Sequence, residues 1–174
     1  MVHYRRNRQA GGTYFFTINL YDRNSNLLIE NIDLLKEVIK KVHQNMPYKQ
    51  EAFVVLPEHI HAIWTLPIND NNYPVRWRYI KTYFTQGLLQ KNYPLKKNRK
   101  GEYFVWQKRY WEHTIKNTKD YVSHINYIHY NPVKHGLVTS PKDWPYSTFH
   151  QFVRERKLSE SWGEVDNNHG YYGE

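Results

Sequence analysis

His59 and His61 stand one residue apart inside the apolar run VVLPEHIHAIWTLP. On a strand, residues two apart project to the same face, so both imidazoles would leave one side of a stiff, β-prone segment. That is the geometry of a two-histidine metal clamp. Ile60, Ala62 and Trp64 share the other face, which is apolar enough to pack on helices. By ligand softness, neutral imidazoles suit manganese, zinc or nickel better than magnesium. Two ligands are too few, so a third must come from elsewhere.

A helix expected over about 118–131 supplies candidates. At about 100° per residue, Asp120, His124, Tyr127 and Asn131 fall on one stripe, with Tyr121, Val122, Ile125, Ile128 and His129 on the opposite, broadly apolar side. One face would bury and the other would present a carboxylate, an imidazole, a phenol and an amide. An amide oxygen can complete a divalent-metal set, and the phenol four residues before it can act as a nucleophile. A divalent ion on His59, His61 and Asn131 would bind a phosphate oxygen and offset charge in the transition state. Attack by Tyr127 would then give a covalent phosphotyrosine, with His124 or Asp120 as candidates for moving the proton. Pro132 stops the helix in this reading, and makes Asn131 its last residue or its cap.

The elements that must hold these groups follow from periodicity. TYFFTINLY reads as a first strand. A helix follows, with Leu34, Leu35, Val38, Ile39, Val42 and Met46 at helical spacing, Asn31 as its N-cap and Pro47 at its end. Residues 51–56 and 59–66 read as strands joined at Pro57-Glu58, and 75–90 as a helix. NYPLKKNRKGE reads as an exposed basic loop, and a short strand is expected within 103–114. The order β-α-β-β-α-β plus a helix predicts an α+β fold: a ferredoxin-like antiparallel sheet with an appended helix carrying the tyrosine. The histidine strand would be central. Residues 1–150 form one domain in this reading, and 151–174 a loosely structured tail.

Composition narrows the partner. The 174 residues carry 25 Lys+Arg against 16 Asp+Glu, a net charge of +9, and 17% aromatic residues. Cations interleaved with flat rings suit single-stranded nucleic acid, whose bases stack while its phosphates meet Lys and Arg. Without cysteine, disulfides, zinc-thiolate sites and thiol nucleophiles are excluded. The sequence has neither a membrane-length apolar run nor a signal-peptide core near its start, so a soluble cytoplasmic protein is expected.

The chain resembles the REP-associated tyrosine transposases, a bacterial branch of the single-tyrosine HUH nucleases. The resemblance spans most of residues 4–150 and rests on YRR near the start, GGTYFFTINL, VVLPEHIHAIWTLP, WQKRYWEHTIKNTKDY, YIHYNPVKHGLV and DWPYSTFH. It implies an HUH-type domain that cuts and rejoins single-stranded DNA at palindromic hairpins, the REP elements. His59 and His61 match the histidine pair, Tyr127 the nucleophile, and Asn131 the third-ligand place, where related transposases often have glutamine. The family reaction uses Mg2+ or Mn2+ and leaves a 5′-phosphotyrosine and a free 3′-OH. The resemblance implies a monomer. It also suggests DNA contacts from the basic arm Tyr4, Arg5, Arg6 and Arg8 and from Gly11 and Gly12. Arg76 and Arg78 on the second long helix are further candidates, as are Lys96, Lys97, Arg99 and Lys100 in the basic loop. Two alternatives share the same residues: a ferredoxin-like module that binds single strands without cutting, and a metallonuclease that uses water. The first lacks the aromatic-glycine signature of RNA-recognition domains.

Overall fold

The computed structural model describes residues 8–164. Seven-residue strands β1 (Thr13–Asn19), β2 (Lys49–Val55) and β3 (His59–Thr65) and the short β4 (Trp111–Thr114) form one antiparallel sheet in the order β2-β3-β1-β4. This is the ferredoxin-like sheet, with the histidine strand in an inner position. β3 is buried along nearly its whole length because both of its faces are covered, as expected for a strand with few polar positions.

Alternation along the strands sorts two cores. Tyr14, Phe16, Ile18, Ile60, Ala62 and Trp64 face α2 (Ile32–Asn45) and α3 (Tyr73–Gln90). There Trp64 lies flat on Trp77 with ring centroids 4.1 Å apart, a buried contact between strand and helix. A Cβ added at Gly87 of α3 would come within 2.5 Å of a Leu34 methyl in α2, so a larger residue there would make that side chain move. On the other face Phe15, Ala52, Val54 and Ile63 meet Ile125 and Ile128 of α4 (Thr118–Lys134), together with Phe152 of α5 (Phe149–Arg154). The helix bearing the expected nucleophile therefore covers the histidine face.

Asn31 stands at the N-cap of α2 as expected, though its side chain makes no cap bond; its amide donates to the Leu27 carbonyl instead, closing the short α1 (Leu27–Glu30). Three other local expectations are corrected. Pro132 does not stop α4, which continues to Lys134. Proline forfeits one ladder donor, but the helix closes one turn later. There Gly136, at φ +67°, donates to Val133 and Leu137 donates to Pro132, a Schellman ending. Residues 151–164 are not a loose tail. Residue 150 lies inside α5, Phe149 and Phe152 are buried, and Glu164 accepts from Ser140 and pairs with Lys142.

Arg76 is the third correction. As a candidate DNA contact it ought to be accessible, yet it is 1% exposed. Its guanidinium donates to the carbonyls of Met46 and Pro47 and, at 2.6 Å, to the Asp70 carboxylate. It ties the end of α2 to the loop before α3. Gly11 and Gly12 likewise have a backbone reason: Gly11 sits at φ +67° against the Ile68 backbone, and a Cβ on Gly12 would meet the Tyr14 hydroxyl at 2.8 Å. Arg78, Lys96, Lys97, Arg99 and Lys100 are exposed, as a phosphate-binding role requires, and so is Arg8. Tyr4, Arg5 and Arg6 lie outside the described residues.

Arg76→Leu should lose about 3 kcal/mol in urea unfolding, because Asp70 and two carbonyls would be left without their donor. The hydrogen bond from Arg76 holds the Asp70 carboxyl below its ordinary value of 3.8. The stability this adds is complete above that value and is lost as pH falls through the lower folded value. An Asp70→Asn variant should accordingly show a shallower loss of stability on acidification below about pH 4.

Candidate active site

The register of β3 against β1 builds the site. Thr17 lies opposite His61 and Asn19 opposite His59, so all four side chains rise from the face that α4 covers. The two imidazoles converge, with Nε2 atoms 3.1 Å apart, and both rings are fully buried. Each Nδ1 is anchored on its outer side: that of His59 donates to the Glu58 carboxylate at 2.8 Å, and that of His61 meets the Thr17 hydroxyl at 2.9 Å. Outer partners of this kind fix the ring plane and leave Nε2 for a ligand. Burial holds the His61 imidazole well below its ordinary value, and the neighbouring His59, His135 and Lys134 add to this. It is thus neutral, the form that binds metals. Burial pushes the Glu58 carboxyl up, but its bond to His59, the charge of His59 and Arg23, and its own backbone amide together outweigh that and hold it below its ordinary value.

α4 lays its stripe over this pair. The Tyr127 ring is 5.1 Å from the His61 ring, and the His135 ring is 5.1 Å from that of His59. Asn131 lies one turn from each and so falls between them. It is fully buried, and neither its amide nitrogen nor its oxygen has a hydrogen-bond partner among the described residues. Leaving both atoms of a buried amide unpaired costs about 1–3 kcal/mol each. In the same cleft the Lys134 ammonium lies 4.9 Å over the Tyr127 ring, close enough to offset charge on a phosphate that reaches the phenol.

These residues fit a divalent cation. Two ligands at about 2.1 Å and at right angles in an octahedral set stand about 3 Å apart, which is the separation of the two imidazole nitrogens. The unpaired Asn131 amide on the helix over this face would supply the missing oxygen. Two nitrogens beside one amide oxygen also favour the softer end of the Mg2+–Mn2+ range.

Asp120 and His124 go elsewhere. They meet His113 of β4, a residue the sequence reading did not single out. Its Nε2 reaches the Asp120 carboxylate at 2.8 Å, while His124 Nδ1 lies 2.8 Å from the Asp120 carbonyl and 3.0 Å from the carboxylate. The two imidazoles stack with centroids 4.8 Å apart. Burial raises the Asp120 carboxyl, but the Lys116 amide and His113 lower it further and keep it ionised. Phe15 packs against both this cluster and Tyr127: its ring is 4.7 Å from that of His124 and 5.9 Å from that of Tyr127. The expected stripe thus divides in two, with Tyr127 and Asn131 on the histidine pair and Asp120 and His124 on β4. Val122, expected on the buried side, is 47% exposed. Thr17, Glu58, Lys134 and His135 were also missed. Their only sequence signals were position: Glu58 precedes His59, and Lys134 and His135 extend the Tyr127–Asn131 stripe by one turn.

The chain is 46% identical over 166 residues to the REP-associated tyrosine transposase of Escherichia coli strain K12, covering 95% of this chain and 93% of that protein. It is 44% identical over 165 residues to a Haemophilus influenzae protein of the same family name, covering 94% of each. A solved structure of a REP-associated tyrosine transposase bound to a REP hairpin superposes with a TM-score of 0.83 at 44% identity, over 98% of both chains. No family model matches.

If Asn131 is placed for chemistry and not for stability, removing its unpaired amide should not harm the metal-free fold. In EDTA, Asn131→Leu should be neutral or up to about 2 kcal/mol more stable in urea unfolding. A clear loss would mean that the amide has a structural task.

Proposed function

The chain belongs to the REP-associated tyrosine transposases, and on that premise we propose that it is a metal-dependent single-stranded DNA endonuclease and strand transferase acting at REP hairpins. The observation that carries this reading is the unpaired Asn131 amide, buried one turn from Tyr127 on the helix that covers His59 and His61. A REP hairpin in the solved relative supports a hairpin substrate here. Exposed Arg78, Lys96, Lys97, Arg99 and Lys100 would meet its phosphates, with Arg8 and the arm before it on the flanking bases.

In the proposed reaction His59, His61 and Asn131 hold Mg2+ or Mn2+, which when bound polarises a non-bridging phosphate oxygen and offsets transition-state charge. Tyr127 attacks phosphorus through its phenolic oxygen. The Tyr–O–P bond forms, the bond to the 3′ oxygen breaks, and that oxygen leaves as a 3′-OH after taking up a proton. The phenol's own proton passes to solvent or to a nearby base. His124 and Asp120 were the candidates, and their pairing with His113 argues against direct transfer from Tyr127. Lys134 offsets charge at the phosphate beside the phenol. A second 3′-OH can attack the phosphotyrosine and restore a phosphodiester, because the bond retains the energy of the one broken.

Incubated with Mn2+ and a labelled REP hairpin carrying single-stranded flanks, the protein should form an adduct that survives denaturing electrophoresis. Tyr127→Phe should bind the hairpin but form none. Full cleavage by that variant would favour water as the nucleophile; binding without any adduct in the wild type would leave only a binding module. Thr17→Val should weaken Mn2+ binding about 10- to 100-fold by calorimetry, since it removes the partner that orients His61.

A further inference from the structure

Trp111 begins the edge strand β4 and is 59% exposed. Of the exposed large apolar side chains, it alone is carried by a strand of the sheet, among the described residues. Its direction follows from register. Trp111 pairs with Thr17, and Thr17 pairs with His61 on the other side of β1. Residues directly opposite in a sheet project to the same side, so Trp111, Thr17 and His61 form one cross-strand row on the face covered by α4. The next residue of β4, Glu112, turns the other way and is 3% exposed. His113, again on the Trp111 face, pairs with Phe15, whose ring touches those of His61, His124 and Tyr127.

The tryptophan therefore stands two strand spacings, about 10 Å, from the histidine that lies against Tyr127. α4 packs over the face that carries the histidines, and Trp111, at the edge-strand end of the row, is more than half exposed. Lys108 and Arg109 precede Trp111, Lys116 follows β4, and all three are exposed. A large, mostly exposed flat ring on the edge strand beside the histidine row, with cations on either side of it in the chain, has the chemistry of a base-stacking platform. Every base offers a π-face, and the adjoining phosphates meet the cations. The alternative occupant, a second protein, would be expected to use a wider apolar patch than one ring beside charged residues.

We propose that Trp111 is a substrate-binding residue: it stacks on an unpaired base flanking the scissile phosphate and so sets the path of the single strand across the site. This rests on the reading of the site as one that cuts single-stranded DNA. Stacking is indifferent to base identity, so Trp111 would select an unpaired strand over a duplex without selecting its sequence.

The test uses a REP hairpin with single-stranded flanks, carrying 2-aminopurine at one flanking position at a time, in EDTA so that nothing is cut. The full-length protein should quench the probe at one position or two adjacent ones. Trp111→Ala should abolish that quenching and weaken binding of the flanked hairpin roughly 5- to 100-fold. Its binding of a blunt hairpin without flanks should not change. Trp111→Phe should retain most of both effects. Equal affinity and equal quenching in wild type and Trp111→Ala would overturn the proposal, as would an equal loss on blunt and flanked hairpins. The outcome is separable from the adduct assay. If wild type forms the adduct while Trp111→Ala binds normally, the stacking role fails and strand transfer stands. If the variant loses flank binding and no adduct ever forms, the reverse holds.

Discussion

The docking of α4 on the sheet is the contact on which the site depends. Ile125 and Ile128 pack onto Phe15, Val54 and Ile63, and apolar burial of this kind fixes where the polar residues between them can lie. The Tyr121 hydroxyl bonds Glu51 at 2.9 Å and secures the start of the helix. Burial pushes the His129 imidazole down to about 3, and the neutral ring contacts Thr148 at 2.9 Å. Trp144 donates to the Val55 carbonyl and holds the segment after α4 against β2. The helix is thus fixed along its length, and Tyr127 and Asn131 inherit that rigidity. A site on a helix braced by packing is more precise than one on a loop.

The interior beneath that helix runs against the usual rule that buried polar groups are satisfied. The His59 and His61 imidazoles and the Asn131 amide are fully buried. The imidazoles have each other, Glu58 and Thr17, but the amide has no hydrogen-bond partner among the described residues. Folding alone would select an aliphatic residue at Asn131. Where a structure accepts such a cost, a ligand that satisfies the group is the economical explanation. Thr17 faces His61 across the sheet, where its hydroxyl meets the imidazole Nδ1 and a valine would leave that nitrogen without it.

Much of the fold was legible in the residues. The alternation in TYFFTINLY and around His59 gave the two inner strands, and Pro47 the end of α2, because these signals are local and each was sustained over several residues. The signals that misled were local ones overruled by tertiary context. Pro132 lacks a donor, but one missing bond is tolerated when the next turn closes on Gly136 and Asn131 is held by packing. Asn31 does take the cap position that asparagine favours, but its amide closes the turn before and does not cap the helix. Arg76 carried the charge expected of a DNA contact and is instead enclosed by backbone carbonyls that no pattern in the sequence announces.

By itself the sequence determined which groups are available: two histidines on one strand face, a tyrosine and an asparagine one helical turn apart, an excess of positive charge, and no thiol. These follow from spacing, and spacing of two on a strand or four on a helix maps onto direction without further knowledge. What it left open was which groups meet. The stripe Asp120, His124, Tyr127 and Asn131 is continuous on the helix, but its two halves face different strands. Asp120 and His124 lie against His113 at the edge, while Tyr127 lies against His61 within the sheet and Asn131 is buried on the same helix one turn on. That division depends on strand order and on the tilt of one helix across a twisted sheet. Both are set by long-range packing between segments far apart in the chain, so only the tertiary structure decided it.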